Sequence, residues 1–139
     1  ETYGSFDKYT AQISKNPNKE RIHTYIRYIS DNEVPEFFSA ADLCILPYKS
    51  ATQSGITSIA YHFELPMLAT DVGGLKELVE DKKTGIIVPE VRTESVKQGI
   101  MSFFDDHEAE TFRSHIRRKK QDMTWKHLAE QIETLYTDL

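Results

Sequence analysis

The 139-residue sequence has a single cysteine, Cys44, and no long apolar run. One cysteine cannot form a disulfide within the chain. Because Cys44 lies in an apolar segment, we expect a buried, inert thiol rather than an exposed catalytic one. No apolar run approaches the roughly 20 residues that a helix needs to span a bilayer, and no signal peptide opens the sequence. These absences predict a soluble, cytoplasmic protein.

Positive charge is also scarce, since 17 Lys and Arg residues stand against 22 Asp and Glu residues, a formal net charge of −5. A general nucleic-acid-binding protein needs a basic surface, so the balance argues against that class. The five histidines show no metal-ligand spacing, and we expect no metal and no cofactor. The apolar fraction of 39% and the charged fraction of 28% are typical of a folded protein. We predict a single domain over residues 1–139.

Short apolar runs alternate with longer amphipathic segments, which predicts an α/β fold with a parallel sheet of about four strands and flanking helices. The predicted strands cover residues 21–26, 43–46, 66–70 and 86–88. Helices are predicted between them and before the first strand, and three more helices close the chain. In the last of these, Thr124 is the expected N-terminal cap.

The segment 47–56 joins the strand predicted over residues 43–46 to a helix whose apolar face is formed by residues 56, 59, 60 and 63. Free N–H groups and the helix dipole make such an N-terminus attractive to anions. Gly55 has no side chain to block a ligand, and the hydroxyl groups of Thr52 and Ser54 can donate hydrogen bonds. The segment therefore suggests a phosphate site built from the amides of Ser54, Gly55 and Ile56. An ordinary helix cap also explains the Ser and Thr residues.

Ligands of such folds bind beyond the carboxyl ends of the strands. Residues 26–30, 47–56 and 70–75 all follow predicted strands, so we expect these three loops to share one rim. Gly73 and Gly74 would let a ligand approach the backbone, although a tight turn explains them equally well. Lys49 would neutralise phosphate, or is simply a solvated lysine.

Three pieces of the sequence, FFSAADLCILPYKS, ELPMLATDVGGLKELVEDKKTGIIVPE and TWKHLAEQIETLYTDL, stand in this order along the chain. Together they resemble the C-terminal, donor-binding domain of the retaining GT-B glycosyltransferases called group 1 or family 4. The resemblance implies a partial Rossmann-like domain that binds a nucleoside diphosphate sugar without an obligate metal ion. Tyr28 and Ile29 would lie beside the nucleotide base, and Gln53 would help Thr52 hold the diphosphate.

The resemblance also implies that an N-terminal domain, absent from these residues, binds the acceptor, a carbohydrate or a lipid-linked sugar. It suggests a role in cell-surface polysaccharide biosynthesis, and we expect the 139 residues alone to be inactive. The sheet would lack its first two strands. We therefore expect either close pairing of the strands predicted over residues 21–26 and 43–46, or self-association through the incomplete sheet.

One departure from the family pattern concerns two glutamates that contact the donor sugar and the ribose. Ala51 and Ile59 stand at those positions, so the resemblance does not identify the sugar. Two other classes remain open. A nucleotide-sugar epimerase would need acid–base groups facing the donor, and a regulatory, receiver-like α/β module would need clustered acidic residues at one strand end.

A basic cluster of five residues lies in the second closing helix: Arg113, Arg117, Arg118, Lys119 and Lys120. Cations near a helix C-terminus are favoured by the helix dipole. A weak peripheral contact with an anionic membrane is the alternative interpretation.

Overall fold

The computed structural model describes residues 5–52, 54–106, 109–122 and 124–137. Contacts divide the chain into two compact units, one ending at Asp31 and the other beginning at Asn32. The first unit contains helix α1 (Asp7–Ser14) and a short 3-10 helix (Lys19–Arg21). The second contains, in order, α2 (Val34–Ala40), β1 (Cys44–Leu46), α3 (Gly55–His62), β2 (Met67–Thr70), α4 (Leu75–Leu78), β3 (Gly85–Val88), α5 (Thr93–Asp105), α6 (Ala109–Asp122) and α7 (Trp125–Thr137). The single domain over residues 1–139 stays a prediction.

The three strands form a parallel sheet in the order β1-β2-β3, and a helix follows each strand. Leu46 pairs with Ala69, and Thr70 pairs with Val88. The predicted α/β class, with a parallel sheet and flanking helices, is confirmed. Because parallel strands end at the same edge, the segments that follow β1 and β2 leave the sheet side by side.

The strand predicted over residues 21–26 is wrong. Arg21 ends the 3-10 helix, and residues 22–26 form no strand in the structure. Ile22 itself has extended backbone angles, φ −103° and ψ 105°. A strand also needs a neighbour to satisfy its N–H and C=O groups, and the described sheet provides none. It has three strands instead of about four, and the predicted pairing of this segment with β1 does not occur in it.

Strand β1 is less buried than its apolar run predicts. Leu46 is buried, but the side chain of Ile45 is 39% exposed. In contrast, all four residues of β2 are buried, because β2 lies between the other two strands. β1 is an edge strand of the described sheet, and an apolar run does not distinguish an edge strand from a central one.

Helix α3 forms where it is predicted, but its buried face is rotated from the predicted one, with Ala60 common to both. Thr57, Ala60 and Tyr61 are the buried residues of α3, whereas Ile56 is 39% exposed. The hydroxyl of Tyr61 donates to the Leu78 carbonyl and lies 2.8 Å from the Thr84 hydroxyl. These partners satisfy a polar group in the core, which allows a tyrosine to lie on the buried face of the helix.

The three closing helices differ in how much of their apolar surface is buried. Helix α5 packs on β2 and β3, helix α6 packs on α3, and the rings of Phe103 and Phe112 stack with centroids 6.1 Å apart. The predicted cap of α7 is confirmed, because the Thr124 hydroxyl accepts a hydrogen bond from the His127 N–H at 3.2 Å. The apolar residues Leu128, Ile132, Leu135 and Tyr136 of α7 are nevertheless exposed. Among the described helices, none combines the length and apolar character needed to cross a membrane.

Candidate functional site

The amino end of α3 is open and carries no acidic residue in its first turn. Ser54 is the N-cap residue, with extended backbone angles (φ −135°, ψ 115°), and its side chain makes no capping hydrogen bond. A Cβ placed on Gly55 would meet nothing within 4 Å. In the described part of the chain, the amides of Gly55 and Ile56 donate to no group outside the helix. Free N–H groups, a positive helix end and open space together form a surface suited to an anion.

The segment that leads into α3 is fixed by the end of β2. Thr70 is fully buried, and its hydroxyl donates to the Tyr48 carbonyl at 2.6 Å, with the Leu46 carbonyl 3.4 Å away. The Gly74 N–H donates to the Thr52 carbonyl at 3.2 Å. The loops after β1 and β2 are therefore joined at two places and act as one unit.

Gly73 and Gly74 have a packing role in this unit. Gly73 has φ +52°, and a Cβ there would lie 1.5 Å from the Ala51 carbonyl oxygen. A Cβ on Gly74 would lie 2.6 Å from the Thr52 carbonyl oxygen. The sequence allows two explanations for these glycines, a ligand contact or a tight turn. The nearby carbonyl oxygens explain why the turn needs glycine at both positions. Contact of these glycines with a ligand stays a prediction.

Two further residues of the site were missed in the sequence. Tyr48 is half-buried against the core, and its hydroxyl lies 3.5 Å from the Ser54 hydroxyl. Thr57 is buried, and its hydroxyl donates to the Ser54 carbonyl at 2.6 Å. Both residues orient Ser54. A Ser-x-x-Thr spacing at a helix start could have indicated the Thr57 bond, but no local pattern indicates the Tyr48 contact.

The remaining predicted residues are distributed differently. Lys49 is exposed and forms no ion pair with residues that the structure describes, and Gln53 lies outside those residues. Tyr28 is exposed and Ile29 is partly exposed, and both belong to the first compact unit. Their predicted contact with a base therefore stays a prediction. The predicted common rim holds for the loops after β1 and β2 alone, since residues 26–30 follow no strand.

The two positions at which the family resemblance leads one to expect glutamates are part of the packing. Ala51 packs against the core, and Ile59 is half-buried. The acidic side chain that follows β2, Asp71, is 3.4 Å from the Lys76 ammonium and is partly exposed. The groups that the start of α3 offers to an anion are therefore amides and hydroxyl groups, with the exposed side chain of Lys49 in the same loop.

Cys44 is half-buried, and burial raises the pKa of its thiol. A raised pKa keeps the thiol protonated at neutral pH, which fits the predicted inert role. Within the ranges that the structure covers, no three His, Cys, Asp or Glu side chains come close enough to hold a metal ion together.

Most of the basic cluster of α6 is paired with acidic groups. Arg117 lies 2.6 Å from Glu64, and Lys120 lies 3.3 Å from the same carboxylate. Lys119 lies 2.7 Å from Glu80. Hydrogen bonds from Arg117 and Lys119 hold the pKa values of these two carboxyl groups below their ordinary range. The cluster is thus part of the packing of α6, and its contact with a membrane stays a prediction.

Residues 3–106 match the family described as "Glycosyl transferases group 1". The chain belongs to this family. It is 27% identical over 119 residues to D-inositol 3-phosphate glycosyltransferase of Jonesia denitrificans, and 29% identical over 90 residues to alpha-D-kanosaminyltransferase of Streptomyces kanamyceticus. These matches cover 83% and 65% of this chain but 28% and 23% of the relatives. The chain thus spans less than a third of the length of either enzyme.

Solved structures show the same fold. Sucrose-phosphate synthase of Thermosynechococcus elongatus has a TM-score of 0.76 at 23% identity, covering 99% of this chain and 35% of the synthase. Anabaena HepE, solved in complex with UDP, has a TM-score of 0.67 at 17% identity, covering 96% of this chain and 36% of HepE. The Rossmann-like, GT-B type of fold inferred from the sequence is confirmed by these similarities.

Proposed function

We propose that this chain is the donor-binding half of a retaining glycosyltransferase and holds the diphosphate of a nucleoside diphosphate sugar at the amino end of α3. The observation that carries the proposal is the open helix start at Gly55, where the first amides have no partner among the described residues and a Cβ would meet no atom within 4 Å. The family membership supports glycosyl transfer in general. The UDP bound to HepE supports a nucleotide as the ligand.

In this proposal the amides of Ser54, Gly55 and Ile56 bind the phosphate oxygens. The hydroxyl groups of Thr52 and Ser54 add hydrogen bonds, and Gln53 and Lys49 assist them. During transfer of the sugar, negative charge develops on the leaving diphosphate. Amides that are already oriented toward that charge stabilise it without reorganisation, which lowers the barrier and requires no metal ion.

The intact protein would transfer a hexosyl group from the donor to a hydroxyl group of a carbohydrate or lipid-linked acceptor. The acceptor would be held by a further domain, so the 139 residues alone would be inactive. Tyr28 and Ile29 would lie beside the base, and Gly73 and Gly74 would border the donor. A cytoplasmic location, a weak membrane contact through α6, a role in polysaccharide biosynthesis and self-association through the incomplete sheet belong to the same proposal.

Nucleotide titration of the 139-residue chain tests the proposal, with UDP, GDP and ADP added separately and binding followed by calorimetry. The informative variant is Gly55→Asp, which places a carboxylate where the phosphate is expected. A Cβ at residue 55 would meet no atom within 4 Å, and the helix dipole stabilises an acidic residue in the first turn. The variant should therefore fold normally, yet bind the preferred nucleotide roughly tenfold or more weakly because like charges repel.

Ser58→Asp is the matched control, because it adds the same charge to an exposed position one turn further along α3. Its affinity should fall less than that of Gly55→Asp, since the added carboxylate lies further from the expected phosphate. Equal binding by wild type and Gly55→Asp would contradict the proposed location of the diphosphate. Absence of binding for all three nucleotides would contradict donor binding by this chain.

A further inference from the structure

A charged cavity of about 290 Å³ lies between α6 and the turn that joins α4 to β3. It is lined by residues of both segments: Glu80, Lys83, Thr84, His115, Arg118 and Lys119. Three cations stand against one carboxylate, an excess of two formal positive charges when His115 is neutral. This local excess occurs in a chain whose formal net charge is −5.

Glu80 orients two of these cations. One of its oxygens lies 2.7 Å from the Lys119 ammonium, and the other lies 3.4 Å from the Lys83 ammonium. Lys119 also donates to the Leu78 carbonyl at 3.3 Å. A single carboxylate cannot neutralise both lysines, so an excess of positive charge remains at this side of the cavity. Lys119, whose side chain is 24% exposed, is positioned there by Glu80 and by the Leu78 carbonyl, whereas Lys83 is exposed.

The other two basic groups have no partner in the described residues. Arg118 is exposed and forms no ion pair with them. His115 lies one helical turn before Arg118 and Lys119, on the same face of α6. Its Nδ1 is buried without a hydrogen-bond partner in the described structure, so the fold does not fix the ring through this atom. Arg118 supplies a planar set of donors, which suits the oxygens of a phosphate group.

The cavity lies away from the α3 surface. Thr84 precedes β3, so the turn lies at the amino edge of the parallel sheet. The loops that lead to α3 and α4 instead follow the carboxyl ends of β1 and β2. A ligand in the cavity would thus leave the proposed nucleotide surface free.

We propose that this cavity binds a phosphate group, either as free phosphate or as part of a small phosphomonoester. Arg118 is the principal ligand, Lys83 and Lys119 supply further positive charge, and His115 turns toward the bound oxygens. A phosphate dianion would balance the two excess charges of the cavity. This site is independent of the proposed donor function, because it lies at the opposite edge of the sheet and uses none of the same residues.

The experiment is a titration of the 15N-labelled chain at pH 7.5, followed by the backbone amides of residues 80–84 and 115–119. Sodium phosphate and glycerol 3-phosphate are the two probes, and sodium chloride at equal ionic strength is the salt control. We expect saturable shifts at these amides with phosphate and none with chloride. The amide of Gly55 reports separately on any phosphate at α3.

Arg118→Ala should weaken binding at the cavity roughly tenfold, because it removes the main charged hydrogen-bond donor. Arg113→Ala is the matched control, since Arg113 lies on the same helix but outside the cavity and faces Asp42 at 4.0 Å. It should leave binding unchanged. Thermal unfolding of both variants confirms that they remain folded.

Saturation by both probes supports the site, and tighter binding of glycerol 3-phosphate would identify a phosphomonoester as the natural class. Shifts that grow linearly without saturation would overturn the proposal, as would equal shifts with chloride or unchanged binding in Arg118→Ala. Binding of anionic vesicles that depends on Arg118, without saturable binding of either probe, would also overturn it and indicate a membrane surface instead.

Discussion

The two ends of helix α3 differ in how far their backbone groups are hydrogen-bonded. At the carboxyl end, the Leu65 N–H donates to the Ala60 carbonyl at 2.9 Å, and the Glu64 N–H donates to the Tyr61 carbonyl at 3.1 Å. Glu64 has φ +57°, so this end is a Schellman motif with glutamate at the position where glycine is usual. The Lys120 ammonium adds a hydrogen bond to the His62 carbonyl at 2.8 Å.

At the amino end, Ser54 makes no capping hydrogen bond through its side chain, and Gly55 faces open space. Hydrogen bonds to the carbonyls of Tyr48 and Thr52 hold the loop before this end. The first amides of the helix have no partner among the described residues. N–H groups without a partner at a helix start are available to water or to a ligand. The amino end of α3 therefore has donors free for an anion, whereas the backbone groups at its carboxyl end are already paired.

The largest expected effect at the amino end comes from Gly73→Ala. The new Cβ would lie 1.5 Å from the Ala51 carbonyl oxygen, and φ +52° is itself unfavourable for alanine. We expect a loss of about 3 kcal/mol or more in the free energy of unfolding, measured with urea. Gly55→Ala is the control and should not destabilise the chain, because its Cβ meets no atom within 4 Å. Equal stability of the two variants would contradict the close contact of the loops.

Thr70→Val should have a smaller effect on stability and a clear one on the loop. Valine keeps the shape of the side chain but leaves the partly buried Tyr48 carbonyl without its hydroxyl donor, a cost of about 1 kcal/mol. We also expect faster hydrogen exchange at the Gly74 amide, which donates to the same loop, and weaker nucleotide binding.

Thr70→Ser restores the hydroxyl and serves as the matched control for that variant. It should recover the exchange protection of Gly74 and the nucleotide affinity, even where the lost methyl group lowers the overall stability. If serine and valine behave alike, the hydroxyl does not position the loop. Hydrogen exchange at the Gly74 amide is measured without a nucleotide, so it tests the contact between the loops even if the chain binds no nucleotide.

At the carboxyl end, Lys120→Met should lower the free energy of unfolding by about 0.5 kcal/mol, since it removes a partly exposed charge near a helix C-terminus. Urea denaturation at low and high salt measures the loss, which salt should reduce. Lys97→Met, on an exposed pair of α5, is the control and should change stability less. Nucleotide affinity should not change in either variant, and a change in Lys120→Met would contradict the separation of the two ends.

Periodicity and turn residues were sufficient to predict the α/β class, the helices, and strands β1, β2 and β3. They failed where a contact with a distant residue decides the outcome. The pattern around Ile22 is that of a strand, but a strand depends on a partner. The buried face of α3 is set by the contacts of Tyr61 with Leu78 and Thr84, which lie 17 and 23 residues away.

The same limit applies to the candidate site. Ser54 and Gly55 were recognisable because a helix start depends on adjacent residues. Thr70 was not, because its hydroxyl acts on a carbonyl 22 residues earlier in the chain. The glycines at 73 and 74 were recognised as a turn, but the need for glycine arises from two carbonyl groups of another loop.

The smallest expected effect concerns Glu64 at the carboxyl end of α3. Glu64→Gly relieves the positive φ, a gain of about 1 kcal/mol, but removes the pairs with Arg117 and Lys120, which are accessible to solvent and therefore weak. At pH 7 the two effects should nearly cancel.

The pKa of Glu64 is lowered in the folded state, so its pairs stabilise the chain above the ordinary value of 4.5 and are lost as the pH falls below it. Urea denaturation between pH 7 and pH 3 should therefore show the glycine variant becoming the more stable of the two under acid conditions, because only the wild type loses these pairs. A constant difference across this range would mean that the carboxylate contributes nothing and that the glutamate is tolerated at positive φ for another reason.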